Sequence, residues 1–551
     1  METGGSSTPL ASLRSSLADA AFEMKVLHEA GIVGLIRPDK AMKIGSAFVR
    51  WGASPALGAT TAAIHHPHEI ALVDERGPLT FGRMHRRSNA LARAFAEMGI
   101  EHGDGIGVMC RNHRGFVETT LAAAKLGAST LYLNTMFAGP QLVEVTRREG
   151  PKVLVYDEEF ADLLEGVDDS VTRVVGWSDG DSDELTLEQL IAGGEESDLK
   201  PPPDKPRFIV LTSGTTGTPK GAQRSSPDGL LAIAALLDKI PFRSRETMMI
   251  AAPLFHSWGF FHFIMSLPTS STMILRRRFD PEDTLRAVQK SRAQVLAAVP
   301  VMIQRILRLP PETLDKYDLS SLRITSLSGS ALPGELAIEW MDRFGDTIYN
   351  LYGSTEVAYA TVATPKDLRA APGTAGSPPR GTVVRICDEH GHELPQGEVG
   401  RIFVGNEMSF EGYTGGGGKE IVDGLLSSGD VGHFDSAGRL FVDGRDDEMI
   451  VSGGENVFPR EVEDLLSDHK AVVEVAVIGV PDDEFGQRLK AFVVATGDGE
   501  VHEDELKAHV KANLASYKAP REIEFLAELP RNASGKILKR ELSEREPQKS
   551  A

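Results

Sequence analysis

The stretch TFGRMHRRSNALARAFAEMGIEHGDGIGVMCRNHRGFVETTLAAAKLGASTLYL, Thr80 to Leu133, decides the fold class. Met84, Leu91, Phe95 and Met98 recur at helical spacing and stop at Gly99, a residue suited to closing a helix. Ile106–Met109 then reads as a strand, a second helix runs to Leu126-Gly127, and Thr130–Leu133 reads as the next strand. Helix, glycine and strand in repeated alternation predict a layered α/β domain.

Downstream, short apolar runs extend the pattern: 153–156, 208–211, 248–251, 273–275, 295–299, 324–327 and 348–351. Asp280-Pro281 opens a helix between two of them, with aspartate as cap and proline at the first helical position. From about Gly381 to Val442 short β-rich runs alternate with Gly, Pro and Asp turns, which predicts a small barrel or antiparallel sheet. Beyond Arg445 an α+β pattern follows: a helix near 460–466, strands at 473–478 and 491–495, and a helix near 503–514. Upstream, Leu10, Leu13, Leu17, Ala21, Met24 and Leu27 predict an amphipathic helix ending before Gly31, a packing element in preference to a membrane-surface one.

The 551 residues exceed one domain. A net charge of -20 argues against nucleic acid as a partner, because phosphate-backbone binding needs clustered Lys and Arg. It does not exclude nucleotides, which backbone N–H groups and a few local cations can hold. Cys110 and Cys387 alone give no disulfide framework. Met-Glu-Thr-Gly-Gly-Ser-Ser lacks the features of a secretory leader, and no apolar run is long enough for a membrane span. The expected location is the cytoplasm; peripheral membrane contact and a homodimer are left open.

The chemistry is concentrated in LTSGTTGTPKG, Leu211 to Gly221, which follows a strand. Five Ser/Thr residues, three glycines and Lys220, with no carboxylate, can direct several donors toward one anion. It is not a Walker A loop, since no hydroxyl follows the lysine.

Thr212–Gly221 resembles the signature of the adenylate-forming superfamily, and the likeness continues in order through Tyr352–Glu356, Ser428–Asp430, Gly444–Asp447 and Asn532–Lys536. The resemblance implies an acyl-CoA synthetase that joins a carboxylic acid to ATP as acyl-AMP and then passes the acyl group to coenzyme A. It assigns ATP contacts to Thr212, Ser213, Gly214, Thr215, Thr216, Gly217 and Lys220, and to Tyr352, Gly353 and Thr355. Glu356 corresponds to the Mg²⁺-holding glutamate, Asp430 to the ribose-binding aspartate and Arg445 to an arginine near the nucleotide. Gly329, Ser330 and Ala331 match the segment lining adenine, and His256 and Trp258 fall where the acyl group binds. Lys536 matches the lysine serving adenylation, although Asn532 stands where the family usually has threonine. Asp447 matches the hinge and Ser452, Gly453 and Gly454 the strand that receives pantetheine. The implied domains are 1–444, a hinge at 445–447 and a mobile domain at 448–551.

No protein nucleophile is required, because CoA thiol attacks an already activated acyl group. A medium- or long-chain fatty acid is the expected substrate, with an aryl or sterol-derived acid as the alternative. A carrier-protein thiol is the rival acceptor. Oxygenase chemistry and a non-catalytic sensor on the same fold are weaker readings.

Overall fold

The computed structural model describes residues 9–34, 37–52, 54–203, 207–211, 221–224, 230–408, 410–414, 416–448, 450–452, 455–482, 486–496, 501–514, 516–532 and 535–545. Two largely parallel sheets dominate the first 370 residues. Six parallel strands form the centre of the larger one, in the order Ile348–Tyr352, Ile324–Leu327, Val295–Ala298, Thr247–Ile250, Thr272–Leu275 and Ile70–Asp74. Thr361–Ala363 and Gly77–Thr80 add antiparallel edges. The second sheet orders its five parallel strands as Phe208–Leu211, Ser129–Tyr132, Gly105–Met109, Val153–Asp157 and Thr172–Trp177. Val153–Asp157, Val295–Ala298 and Ile324–Leu327 are buried throughout, as parallel strands covered on both faces must be.

The helices Phe81–Glu97 and Arg114–Leu126 pack on each other, and one apolar core runs from Leu72 and Met248 of the larger sheet through Phe95 and Phe116 to Val108 and Val155 of the other. Thr80 caps the first helix by accepting the Arg83 N–H at 3.3 Å, and Gly127 ends the second at φ 70°. Asp280 caps Pro281–Ser291 by accepting the Asp283 N–H at 2.7 Å. Of the barrel or sheet expected after Gly381, the pairings make an antiparallel sheet: Val383–Cys387, Gly400–Gly405, Leu425–Phe434 and Ile421–Val422, with Leu440–Arg445 also on Leu425–Phe434. A further sheet of Glu455–Val457, Ile450–Ser452, Gly486–Ala495, Val472–Asp482 and Glu522–Phe525 carries the C-terminal region.

The first helix, Pro9–Glu29, corrects the expected stripe. Phe22 is half-buried and Val26 and Leu27 are buried, while Met24 is 54% exposed. The inward face is set by the neighbouring helix Leu231–Lys239 and by Arg380, which pairs with Asp19 at 2.9 Å and lies 4.7 Å from the Phe22 ring. The helices Pro38–Trp51 and Pro55–His65 and the hairpin Ile70–Asp74/Gly77–Thr80 are not legible in the apolar spacing.

Lys125 is buried where the helices Phe81–Glu97 and Arg114–Leu126 meet. Its ammonium donates to the His85 carbonyl at 2.9 Å, Ser88 Oγ at 2.7 Å and Asn89 Oδ1 at 2.6 Å, all neutral acceptors. Burial lowers its pKa from 10.5 to about 7. Between those values the unfolded chain holds a proton that the folded chain has released, so folding stability rises with pH across that window. Relative to Lys125→Met, wild type should gain about 2 kcal/mol between pH 7 and pH 9, read from denaturation at both values. A gap that stays constant with pH would contradict the buried assignment.

Candidate active site

Three loops leave the C-terminal ends of parallel strands on the larger sheet, the edge where open α/β sheets take ligands. They carry Pro253–Trp258, Ser328–Ala331 and Gly353–Glu356, and all three border one cavity of about 2200 Å³. Asp430 and Arg445 of the antiparallel sheet and Lys536 of the C-terminal region border the same cavity. Glu356, Asp430, Arg445 and Lys536 therefore converge, although 180 residues separate the first from the last.

Asp430 and Arg445 are direct cross-strand partners, and Arg445 Nη1 donates to Asp430 Oδ1 at 3.3 Å. Tyr352 donates its hydroxyl to Asp430 Oδ2 at 2.5 Å. Burial and that carboxylate push the Tyr352 hydroxyl well above the usual tyrosine range, so it remains a donor. Tyr413, which the sequence reading missed, donates to Glu356 Oε1 at 2.7 Å. Gly353 is sterically required: an added Cβ would sit 2.3 Å from the Ala358 carbonyl oxygen. Lys419, which the sequence reading did not single out, also borders the cavity and lies beside Gly429.

Lys536 sits in a turn closed by its own neighbours. Asn532 accepts the Lys536 N–H through Oδ1 at 2.9 Å and donates its backbone N–H to the Lys536 carbonyl at 2.9 Å. Asparagine thus performs the turn-closing hydrogen bond at the position where threonine is usual. The turn is tied to the larger lobe through a relay of charges. Arg308 donates to Glu474 at 3.3 Å and to the Val473 carbonyl at 2.9 Å; Glu474 pairs with Arg531 at 3.2 Å; Arg531 donates to the Gly535 carbonyl at 2.6 Å. None of these three charged residues stands out in the sequence, because their meaning is relational.

The short helical turn Asp446–Glu448 joins Leu440–Arg445 to Ile450–Ser452. Asp446 accepts from Arg401 at 3.0 Å, whereas Glu448 accepts from Lys539 at 2.9 Å, so the residues flanking Asp447 are held from opposite sides. Ser452 ends its strand opposite Glu455 and Gly486. Thr212, Ser213, Gly214, Thr215, Thr216, Gly217 and Lys220, together with Gly453 and Gly454, lie outside the described residues.

Trp258 is pinned by donation from Nε1 to the Ala298 and Ser326 carbonyls at 3.1 and 3.2 Å, leaving its ring to line the cavity. His256 stands at the first position before the helix Ser257–Ser266 without a side-chain capping bond; the residue is half-buried, and its Nε2 is buried and lacks a partner among the described residues. Burial lowers its pKa to about 4. Glu356 and the neighbouring Ser354 and Thr355 hydroxyls offer hard oxygen donors of the kind Mg²⁺ takes alongside substrate phosphates, so the donor set fits that ion. Cys110, His113 and Asp157 are also close together, but His113 already bonds Asp157 at 2.8 Å and the Gly115 N–H at 3.0 Å, which makes this a buried structural network.

Residues 60–414 match the AMP-binding enzyme family, and residues 461–536 match its C-terminal domain. The chain belongs to this family and so to the adenylate-forming superfamily. It is an acid–thiol ligase that uses ATP and CoA. Among its relatives, a feruloyl-CoA synthase from Amycolatopsis sp is 34% identical, over 87% of this chain and 96% of that one. The fatty acid–[acyl-carrier-protein] ligase ScoC of Streptomyces coeruleorubidus is 30% identical, over 88% and 94%. The crystal structure of the anthranilate CoA ligase AuaEII with anthranoyl-AMP superposes with a TM-score of 0.80 at 25% identity, covering 89% of this chain and 96% of that one. No helix among the described residues is long and apolar enough to cross a membrane.

With its pKa near 4, His256 undergoes no change of charge between pH 6 and pH 8. His256→Gln should therefore alter rate without altering the shape of the pH–rate profile in that range. A limb present in wild type and missing from the variant would contradict a neutral His256.

Proposed function

We propose that the enzyme adenylates an apolar carboxylic acid, most suitably a medium- or long-chain fatty acid, and transfers it to CoA by rotating a C-terminal domain of residues 448–551 against residues 1–444. The convergence of Glu356, Asp430, Arg445 and Lys536 on one cavity, with residues from both lobes, carries this reading. Bringing a carboxylate to the α-phosphate of ATP sets two anions together and builds further negative charge in the transition state, so preorganised cations are the main catalytic means. Lys536 supplies one at the reacting end, and Lys220 of the glycine-rich loop another at the phosphates. Asp430 accepts the ribose hydroxyls while Tyr352 and Arg445 hold its carboxylate in place. Tyr352, Gly353, Thr355 and the backbone of Gly329, Ser330 and Ala331 frame the nucleotide. Mg²⁺ bound at Glu356 would neutralise phosphate charge, and Tyr413 fixes the orientation of that carboxylate.

Lys536 obstructs the side from which a thiol must approach acyl-AMP. Rotation about Asp447 removes it, because Asp446 is tethered to Arg401 and Glu448 to Lys539. Ser452, Gly453 and Gly454 then line the path of pantetheine. Breaking the Arg308–Glu474 contact is part of that movement.

The acyl end supports an aliphatic substrate. Phe260, Phe261 and Ile264 of the helix Ser257–Ser266 line the cavity, and Ile264 lies about 12 Å along the helix from His256 at 1.5 Å per residue. Transfer to a carrier-protein thiol remains the second reading, favoured by the likeness to ScoC.

Lys536→Ala should reduce pyrophosphate release at least about 10²-fold while leaving CoA thioester formation from supplied acyl-AMP within a fewfold of wild type. Equal loss of both steps would refute domain alternation. Arg308→Ala should show the same split in milder form. With butyrate, octanoate and dodecanoate, kcat/KM should rise roughly fourfold per methylene until the cavity is filled. No chain-length trend, with preference for a feruloyl-sized ring, would refute the aliphatic reading.

A further inference from the structure

The helix Pro38–Trp51 lies before the residues that match the family, and it carries apolar residues on its exposed side as well as on its buried one. Ala47 and Trp51 face inward against Ala56 and Ala124, while Met42, Phe48 and Val49 are 73%, 59% and 88% exposed. Three large apolar side chains on one exposed side of a 14-residue helix make a patch of the sort that marks a docking surface. Its charge also runs against the rest of the chain. From Arg37 to Trp51 there are four basic residues, Arg37, Lys40, Lys43 and Arg50, against one acid, Asp39, in a protein of net charge -20. Arg37 pairs with Asp39 and Arg50 with Asp198, Lys40 donates to the His65 carbonyl, and Lys43 is exposed.

The patch borders the same cavity as the residues of the acyl side. His256, Phe260 and Ile264 line the same cavity as Leu57, Ile44 and Phe48, the last belonging to both cavity wall and exposed face. We propose that Pro38–Trp51 docks on the surface of an anionic phospholipid bilayer, its apolar side entering the acyl boundary, so that a membrane-dissolved acid enters the cavity at Phe48. This rests on the aliphatic reading above for the nature of the cargo, although docking itself does not. An apolar face flanked by cations is the composition that lies in a bilayer interface, and anionic headgroups attract the Lys side chains within a Debye length. A second copy of the chain is the competing occupant. Basic flanks disfavour it, since in a symmetric pair they would face one another.

The test uses the full-length protein with sedimented vesicles, either phosphatidylcholine with one-third phosphatidylglycerol or phosphatidylcholine alone. Binding is expected to the first, at least tenfold weaker to the second, and lost in Met42→Glu/Val49→Glu, whose side chains do not line the cavity. That variant should keep wild-type kcat/KM for a water-soluble short acid and lose at least tenfold on dodecanoate presented in vesicles. Vesicle binding that persists in the variant overturns the proposal. So does a wild type that ignores both vesicles and sediments as a dimer made monomeric by the substitutions. If binding is lost as expected while no aliphatic acid is a substrate in detergent-free solution, docking stands and the aliphatic reading fails.

Discussion

Like charges must be brought together and held, and the architecture answers to that constraint. At low effective dielectric two anions a few ångströms apart repel strongly, and cations fixed in advance offset this without reorganisation at the moment of reaction. A strand tip offers a rigid place for ligands that need no movement, which suits Glu356, and Asp430 is held just as firmly inside the strand Leu425–Phe434 opposite Arg445. A cation needed in only one of two steps belongs on a part that can leave. Under the domain rotation proposed above, the placement of Lys536 on the C-terminal region, apart in the chain from Glu356, Asp430 and Arg445, would follow from this.

Holding such a site still requires polar groups that are themselves satisfied. Asp430 takes bonds from Tyr352 and Arg445, and Glu356 takes one from Tyr413, so neither carboxylate depends on substrate for its orientation. Further off, Arg114 binds Asp74 at 2.6 Å and Arg87 bridges Glu118 and Glu188, fixing the helices between the sheets. Leaving one member of such a buried pair unpartnered costs several kcal/mol, which makes these pairs constraints on geometry more than sources of net stability.

Much of this was legible in the order of residues. Continuous apolar runs gave the central strands within a residue or two, because parallel strands buried on both faces need them. The ordered motifs marked Glu356, Asp430, Arg445 and Lys536 and implied their common site. What stayed hidden depends on partners remote in the chain. Tyr413 acquires meaning only through Glu356, and Arg308 only through Glu474 and Arg531. The helix Pro38–Trp51 escaped because Met42, Phe48 and Val49 face outward while Trp51 faces inward, so no single apolar stripe marks it, and the first helix was rotated relative to its expected stripe because Arg380 and a neighbouring helix select which side is covered.

Gly535 has a bearing on how sharply the lobes engage. Its φ is +80°, and a Cβ there would lie 2.4 Å from Val301 Cγ1. Bare main chain meets a branched side chain with no compressible layer between them. Contact of that sort has almost no intermediate depth: a displacement of one methyl diameter removes it altogether. Under the domain rotation proposed above, the seam between the lobes would act as a detent, seated or unseated, and the lysine that follows Gly535 would share the same two positions.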